Sequence, residues 1–395
     1  MAPHALTDLH DTSGYYPSAA HRTRPHTATH HNSPNSPHNP KPAPSAKIPF
    51  GNLGFGSESP SNVWNLSADE ISELEKNVRH FLSLNEPLNA LNQSTFPLTS
   101  ALTAKLRAVV EHVYGEQQFF VISGLDPFRY SDFQNVIIHA GLSSHVGSKR
   151  GMGGRTGGNN AVIQHITAMP VDVNAPAGRY HGPPSRNQDI PFHTDNGDII
   201  SLFALSTSKS GGSFYLADST AVYNELAAAE PELAQALCND WTMISPSPTT
   251  PPSTRPIAFP NHHPTRVLLN CSRARITGTP SAPRPSSLPP LSPLQRRALD
   301  ALHFAAKRLA TEIKLQPGDM LFFNNLGLMH ARDGFVDDEE SGLKRHLLRL
   351  ILRDEECAWR LPWQLRGTWR DLYGGRVEEE VWPVERELFA FACSH

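Results

Sequence analysis

Residues 344 to 356 read KRHLLRLILRDEE. Side chains of an extended strand alternate between faces, so Arg345, Leu347, Arg349, Ile351 and Arg353 share one side. His346, Leu348, Leu350 and Leu352 share the other. The leucine side suits a helix layer, which leaves Arg345 and Arg349 pointing into a barrel. An uncompensated guanidinium is costly there, so each arginine requires a carboxylate, from the protein or from a ligand. Their Cα atoms lie roughly 13 Å apart at about 3.3 Å per residue. One small carboxylate does not reach both, and two anionic partners are expected.

Upstream, LQPGDMLFFNNLGLMHARDGF (315–335) supplies a turn at Pro317–Asp319, a strand from Met320 to Phe323, and a break at Asn324–Asn325 before His330. Further upstream, IPFHTDNGD (190–198) places His193 and Asp195 on one face of an extended segment. H-x-D alone is a weak motif, and a metal held by two residues alone is weakly held. His330, arriving on a distant strand, is the candidate third ligand. Two imidazoles and a carboxylate on one side suit Fe(II), leaving two positions for a chelating co-substrate and one for O2. A tetrahedral zinc site with one water stays open as an alternative. An iron oxygenase using a 2-oxo acid needs an arginine for the distal carboxylate, since the guanidinium grips it bidentately. A second interior arginine then points to an anionic substrate, unless Asp or Glu from the fold pairs with it.

Around this centre, short apolar runs alternate with Gly, Pro and Asn punctuation: IISLFALS, GGSFYLAD, TRVLLNCS and DMLFFNN. Many short strands with turn signals predict a barrel or sandwich core with helices packed outside. Helices are expected over 65–85, opened by Ser67 and an acidic first turn, and over 101–114, 219–238 and 292–313. EQQFFVISGLDP (116–127) reads as a strand. The Pro-rich connections 245–264 and 279–293 read as surface excursions. GSKRGMGGRTGGNN (147–160) lacks the Gly-Lys-Ser/Thr of a phosphate loop and reads as a mobile loop near a site.

Residues 1–46 are rich in His, Pro and Ser and nearly free of large aliphatics, so a disordered tail is expected, followed by a single domain over 47–395. A net charge of −3 gives no footprint for nucleic acid or an anionic membrane. No apolar run is long enough for a bilayer and no secretory signal opens the chain. Cys238, Cys271, Cys357 and Cys393 form no C-x-x-C pair, which favours a reducing, cytoplasmic location.

HTD (193–195), SGG (210–212), the helix VYNELAAAEPELAQAL, PGDMLFFNNLGLMHARDGF and RHLLRLILRD follow one another in order. In this the chain resembles the taurine dioxygenase/TfdA-type, clavaminate synthase-like Fe(II)/2-oxoglutarate oxygenases, most of all their fungal, secondary-metabolism branch. The resemblance covers residues 115–375. It implies a mainly β fold with flanking helices, built on a double-stranded β-helix (jelly-roll, cupin-like) core. It makes His193, Asp195 and His330 the iron ligands and Arg345 the anchor of 2-oxoglutarate. Arg349 falls where relatives bind a substrate acid group. The family's Thr after Gly-Gly is replaced by Phe214, so Ser213 is the candidate substitute contact to 2-oxoglutarate. Asn187 and Gln188 are candidates for the substrate pocket. The implied activity is oxidation of a C–H bond of a small carboxylate-bearing substrate, such as an amino acid, with release of succinate and CO2. Hydroxylation comes first, with ring closure to an aziridine on a valine-type amino acid as a second outcome. A zinc hydrolase or a non-catalytic binder on the same barrel is the alternative.

Overall fold

The apolar run at 199–206 has no polar face because both sides of its sheet are covered, and this sets the architecture. The computed structural model describes residues 14–21, 62–153, 160–168, 185–245, 251–280, 282–338 and 340–384. The strands that carry the fold are β1 (Val63–Asn65), β2 (Phe119–Ser123), β3 (Gln164–Thr167), β4 (Ile190–His193) and β5 (Ile199–Ser206). They continue with β6 (Phe214–Asp218), β7 (Thr311–Ile313), β8 (Met320–Asn324), β9 (Leu328–Arg332) and β10 (His346–Arg353). The helices are α1 (Ala68–Leu84), α2 (Ser100–Tyr114), α3 (Asp132–Ser144), α4 (Ser219–Ala229), α5 (Pro231–Cys238), α6 (Pro293–Leu309) and α7 (Trp363–Tyr373).

A large sheet runs β1-β2-β8-β5-β10, with β3 and the short Lys149–Arg150 strand added beside β10. Only β1 and β2 pair in parallel within it. A four-stranded antiparallel sheet runs β7-β6-β9-β4. The two sheets are the walls of the jelly roll expected from the sequence. Period-two alternation divides every central strand. Ile200, Leu202, Leu321, Phe323, Leu347 and Ile351 fill the space between the sheets. Ile199, Phe203, Met320, Phe322, Leu348 and Leu350 turn outward into a core shared with α1, α2 and α3. The outer face of the smaller sheet meets α4, α5 and α6. The leucine face of β10 therefore lies against helices and its arginine face looks inward, as its alternation requires.

Local signals explain most helix boundaries. Ser67 and Glu70 close a capping box at α1, and Ser292 and Gln295 close another at α6. The helix expected over 219–238 is divided, because Pro231 has no N–H to donate and instead opens α5. The helix expected over 292–313 stops at Leu309, where Thr311–Ile313 pair with β6 as an edge strand. Helix α3 gave no amphipathic signal because Asn135 to Ser144 are all buried. Of the tail, residues 14–21 are described: Tyr15 is buried, and the His21 ring lies 2.6 Å from Asp300. The rest of 1–46 lies outside the described residues. Among those described, no helix is long and apolar enough to cross a membrane.

Helix α3 meets β5 through a polar contact, His139 Nε2 to the Ser201 hydroxyl at 2.8 Å. Burial pushes the His139 pKa down to about 3, and that of His112 on α2 to about 4. The native chain thus refuses protons that the unfolded chain accepts below about pH 6.5. The unfolded state then binds more protons, so stability is complete above that pH and declines as pH falls. Each fully refused proton contributes a slope of about 1.4 kcal/mol per pH unit. Urea midpoints should drop between pH 7 and pH 5, and His139→Asn should flatten that drop. An unchanged slope in the variant would refute the assignment.

Candidate metal centre

The antiparallel register of β4 and β9 places His193 directly opposite His330, with ring centroids 4.1 Å apart. Asp195 follows β4 and reaches back between them. Its Oδ1 lies 3.9 Å from His193 Nε2 and its Oδ2 lies 3.8 Å from His330 Nε2. One donor atom from each of the three sits within 4.8 Å of the others. His193 Nδ1 donates to the Pro191 carbonyl at 2.9 Å, which leaves the Nε2 lone pair free for a cation. Burial pushes both imidazoles below the usual histidine range, His330 furthest because His193 adds to it. Burial favours a neutral Asp195, yet Arg349 and the two histidines hold its carboxyl below the usual range. All three donors are therefore deprotonated at neutral pH, as ligation demands. Two nitrogens and one oxygen on one side match the facial set preferred by Fe(II).

The breaker residues after β8 hold the aspartate. Asn325 Oδ1 accepts from the Asp195 N–H at 2.9 Å, and its Nδ2 donates to the carbonyls of Asp195 and Gly197 at 2.8 and 2.9 Å. Thr194, the residue between the ligands, exchanges two 2.8 Å bonds with the backbone of Cys271. Gly197 has φ +116°, and a Cβ there would overlap the Ile351 methyl.

Arg345 is 5% exposed, and its Nη1 has no hydrogen-bond partner among the described residues. Its guanidinium and that of Arg332 bracket the Phe335 ring at 5.4 and 4.8 Å. Burial, with Arg332 close by, pulls the Arg345 pKa down to about 9. It faces a cavity of about 50 Å3 that the three candidate ligands also line. An orphaned buried cation opposite the metal position fits the distal carboxylate of 2-oxoglutarate. Gly212, at φ +77°, gives room for it, since a Cβ would stand 3.3 Å from Arg345 Cδ and Nε.

Other expected site residues are placed differently. The Ser213 hydroxyl donates to Glu312 at 2.6 Å on the exposed side. Strand alternation turns Phe214 inward, stacked on His330 at 5.5 Å, while Ser213 shares the lining of a cavity of about 290 Å3 with Arg345. Asn187 and Gln188 are exposed, and their carbonyls accept from Phe335 N and from Arg332 Nη2. The Gln188 contact thus braces Arg332 at the register shift of β9. Arg349 Nη1 donates to Asp195 Oδ2 at 2.6 Å and its Nε to Gln164 Oε1 at 2.9 Å, so its carboxylate partner is a candidate ligand. Beside it lies a cavity of about 330 Å3, lined among others by Met152, Gly153, Arg255 and Arg275. Residues 154–159 of the glycine-rich loop, which the sequence placed near a site, lie outside the described residues. The 245–264 connection is not a plain surface excursion: Pro251, Ser253 and Arg255 line that cavity. Its Pro-rich composition concealed this, because Arg255 is drawn inward by the carbonyls of Pro256 and Asn270.

The sequence profile of the family described as Taurine catabolism dioxygenase TauD, TfdA family matches residues 84–351. The taurine hydroxylase-like protein SAT17 of Stachybotrys chartarum is 32% identical over 325 residues, spanning 81% of this chain and 83% of that one. An asparagine oxygenase in complex with Fe(II), 2S,3S-3-hydroxyasparagine and succinate superposes with a TM-score of 0.57 at 15% identity, over 82% of this chain and 99% of its own. The non-heme iron oxygenase OrfP in complex with Fe and alpha-ketoglutaric acid superposes with a TM-score of 0.52 at 17% identity, over 74% and 94%. At such identities the two structures establish a shared fold.

The grip of Asn325 on the ligand backbone makes it the most informative supporting residue. Asn325→Ala should weaken Fe(II) binding by about 10- to 100-fold while leaving all three ligands in place. Metal titration of the anaerobic protein checks this, and an unchanged affinity would remove Asn325 from the site.

Proposed function

The chain belongs to the taurine catabolism dioxygenase TauD/TfdA family and is an Fe(II)/2-oxoglutarate-dependent dioxygenase, and from that premise we propose that it oxidises an unactivated C–H bond of a small, carboxylate-bearing amino acid or derived metabolite. His193, Asp195 and His330 hold the iron in this reading, and Arg345 holds the 2-oxoglutarate. When bound, that pair supplies the oxidising power, drawing on O2 and releasing succinate and CO2. The remaining work belongs to the chain.

The observation that carries the assignment of Arg345 is its buried, unpartnered Nη1 facing the cavity of the three ligands. A zinc hydrolase on the same triad has no use for such a cation. Phe214 and Phe323 pack on His330 at 5.5 and 5.1 Å and exclude water from that side of the centre. Arg349 and Gln164 fix the carboxylate plane of Asp195 from the substrate side. The larger cavity begins at Asp195 and Arg349, so a substrate lying in it presents one carbon to the metal and extends away. Its size suits an amino acid better than a polymer end. Hydroxylation is the simplest outcome, and closure of an aziridine on a valine-type amino acid would instead remove one C–H and one N–H hydrogen as water, with the amine beside the attacked carbon and no hydroxyl transferred.

Anaerobic addition of Fe(II) and 2-oxoglutarate should produce a weak visible charge-transfer band, and the true substrate should perturb it. Arg345→Ala should weaken 2-oxoglutarate binding by about a hundredfold, as expected for truncating one partner of a buried charge pair. A variant that forms the band at wild-type 2-oxoglutarate concentrations would overturn the role given to Arg345. Wild-type protein that yields no succinate with any amino acid tested would overturn the substrate class.

A further inference from the structure

Three guanidiniums line the 330 Å3 cavity beside the metal centre: Arg349, Arg255 and Arg275. Their partners differ in kind. Arg349 is paired with the Asp195 carboxylate at 2.6 Å, so its charge is met within the protein. Arg255 is held by neutral oxygens alone: its Nη1 donates to the carbonyls of Pro256 and Asn270 at 2.9 and 3.0 Å, and its Nη2 to Asn270 Oδ1. Arg275 Nε donates to the Ile244 carbonyl at 2.6 Å. Carbonyl acceptors orient a guanidinium without neutralising it. Among the described residues neither arginine has an ion-pair partner. Burial lowers both pKa values, that of Arg255 to about 10 with Arg275 adding to the effect, so two cations share one cavity wall at a cost.

The pair is also tied to the metal centre. Asn270, which accepts from Arg255, donates through Nδ2 to the Asp195 carbonyl at 3.1 Å. The next residue, Cys271, is bonded twice to Thr194. The segment bearing Arg275 therefore has a fixed distance to the ligand segment, as an anchor requires if it is to choose which carbon meets the metal.

We propose that Arg255 and Arg275 form the subsite that receives the carboxylate of the substrate, and that Arg349 is a positioning residue for Asp195. This rests on the reading of the cavity as the substrate site. A carboxylate there meets two cations that have no ion-pair partner among the described residues, although Asp371 also lines the cavity, whereas one on Arg349 competes with Asp195 for a guanidinium already engaged. The substrate then lies with its acid end away from the metal and its carbon chain along Met152 and Ile351 towards Asp195.

The test is calorimetric titration of the metal-free, full-length protein with L-valine, L-asparagine and L-arginine, each beside its C-terminal amide, and with inorganic sulfate. The acids should bind, and the amides should bind at least about tenfold more weakly. Arg275→Gln should lose that discrimination, with partial recovery in Arg275→Lys. The Fe(II)–2-oxoglutarate band, retained in Arg275→Gln, reports that the variant is folded. Arg349→Met should weaken Fe(II) binding and leave carboxylate affinity within about twofold. The proposal is overturned if Arg349→Met rather than Arg275→Gln abolishes acid binding, if acids and amides bind alike, or if no acid and no sulfate binds at millimolar concentration. Because the titration omits the metal, its failure is distinct from failure of the oxygenase reading, which shows as a missing band in the wild-type protein.

Discussion

The pairing of His193 with His330 across β4 and β9 is the constraint on which the rest depends. A one-residue slip in either strand would send one imidazole to the opposite face and dissolve the donor set. The register is held from several sides. Strand β9 is locked between β4 and β6, with His330 paired to Leu216 on the second neighbour. Beyond His330 the register with β4 shifts, and Arg332 lies opposite Ile190. The irregularity thus falls just past the histidines, where it re-aims Arg332 without disturbing the pair. Outside the strands, Asn325 and Cys271 grip the backbone of residues 194–197, so Asp195 closes the triangle although it lies in a loop.

Arg345, just before β10, and Arg349 and Arg353 within it illustrate three ways of meeting an interior charge. Arg353, at the end of the strand, pairs at 2.6 Å with Asp198, a carboxylate with no exposure. Tyr114 adds a hydroxyl at 3.4 Å and Trp369 an indole N–H to the same carboxylate. Burial still lifts Asp198 to about 6, which places this pair among structural networks that are costly to break and modest in net benefit. Arg349 pairs with Asp195, one of the three candidate metal ligands. Arg345 has no such partner for its Nη1. The ordering along one strand runs from structural pair, through ligand orientation, to open ligand site, in steps of four residues set by the pleat.

Much of this was legible in the sequence because it depends on alternation. The pattern of KRHLLRLILRDEE fixed which side chains enter the barrel, and H-x-D with a distant histidine located the centre. The features that escaped are those in which a loop residue is pulled inward by polar atoms distant in sequence. Arg255 lies in a Pro-rich connection that reads as a surface excursion and Arg275 in a segment with no motif, and the fold supplies the carbonyls of Pro256, Asn270 and Ile244 that hold them at the cavity. Helix α3 escaped for the opposite reason: burial on all sides erases the periodicity by which a helix is recognised. The carbonyls of Asn187 and Gln188, which accept from Phe335 and Arg332, are contacts of the same kind that residue type alone does not announce.

The exchange of the family's threonine for Phe214 changes the physics around Arg345. A hydroxyl at that position would add one hydrogen bond to a bound carboxylate, of modest net value. Phe214 instead stacks on His330 at 5.5 Å and meets Phe323 at 5.7 Å, closing the wall with apolar rings. Phe335 adds a further apolar ring beside the guanidiniums of Arg345 and Arg332, which lie 5.4 and 4.8 Å from its centroid. Removing polar surface lowers the local dielectric, which strengthens the attraction between a guanidinium and an incoming carboxylate. It also raises the cost of leaving that cation alone, a cost visible in the pull of Arg345 towards about 9. The pocket thus trades a specific hydrogen bond for a drier wall, and under the proposed role of Arg345 the hold on a dianionic co-substrate would rest more heavily on that residue than a threonine-bearing wall would require.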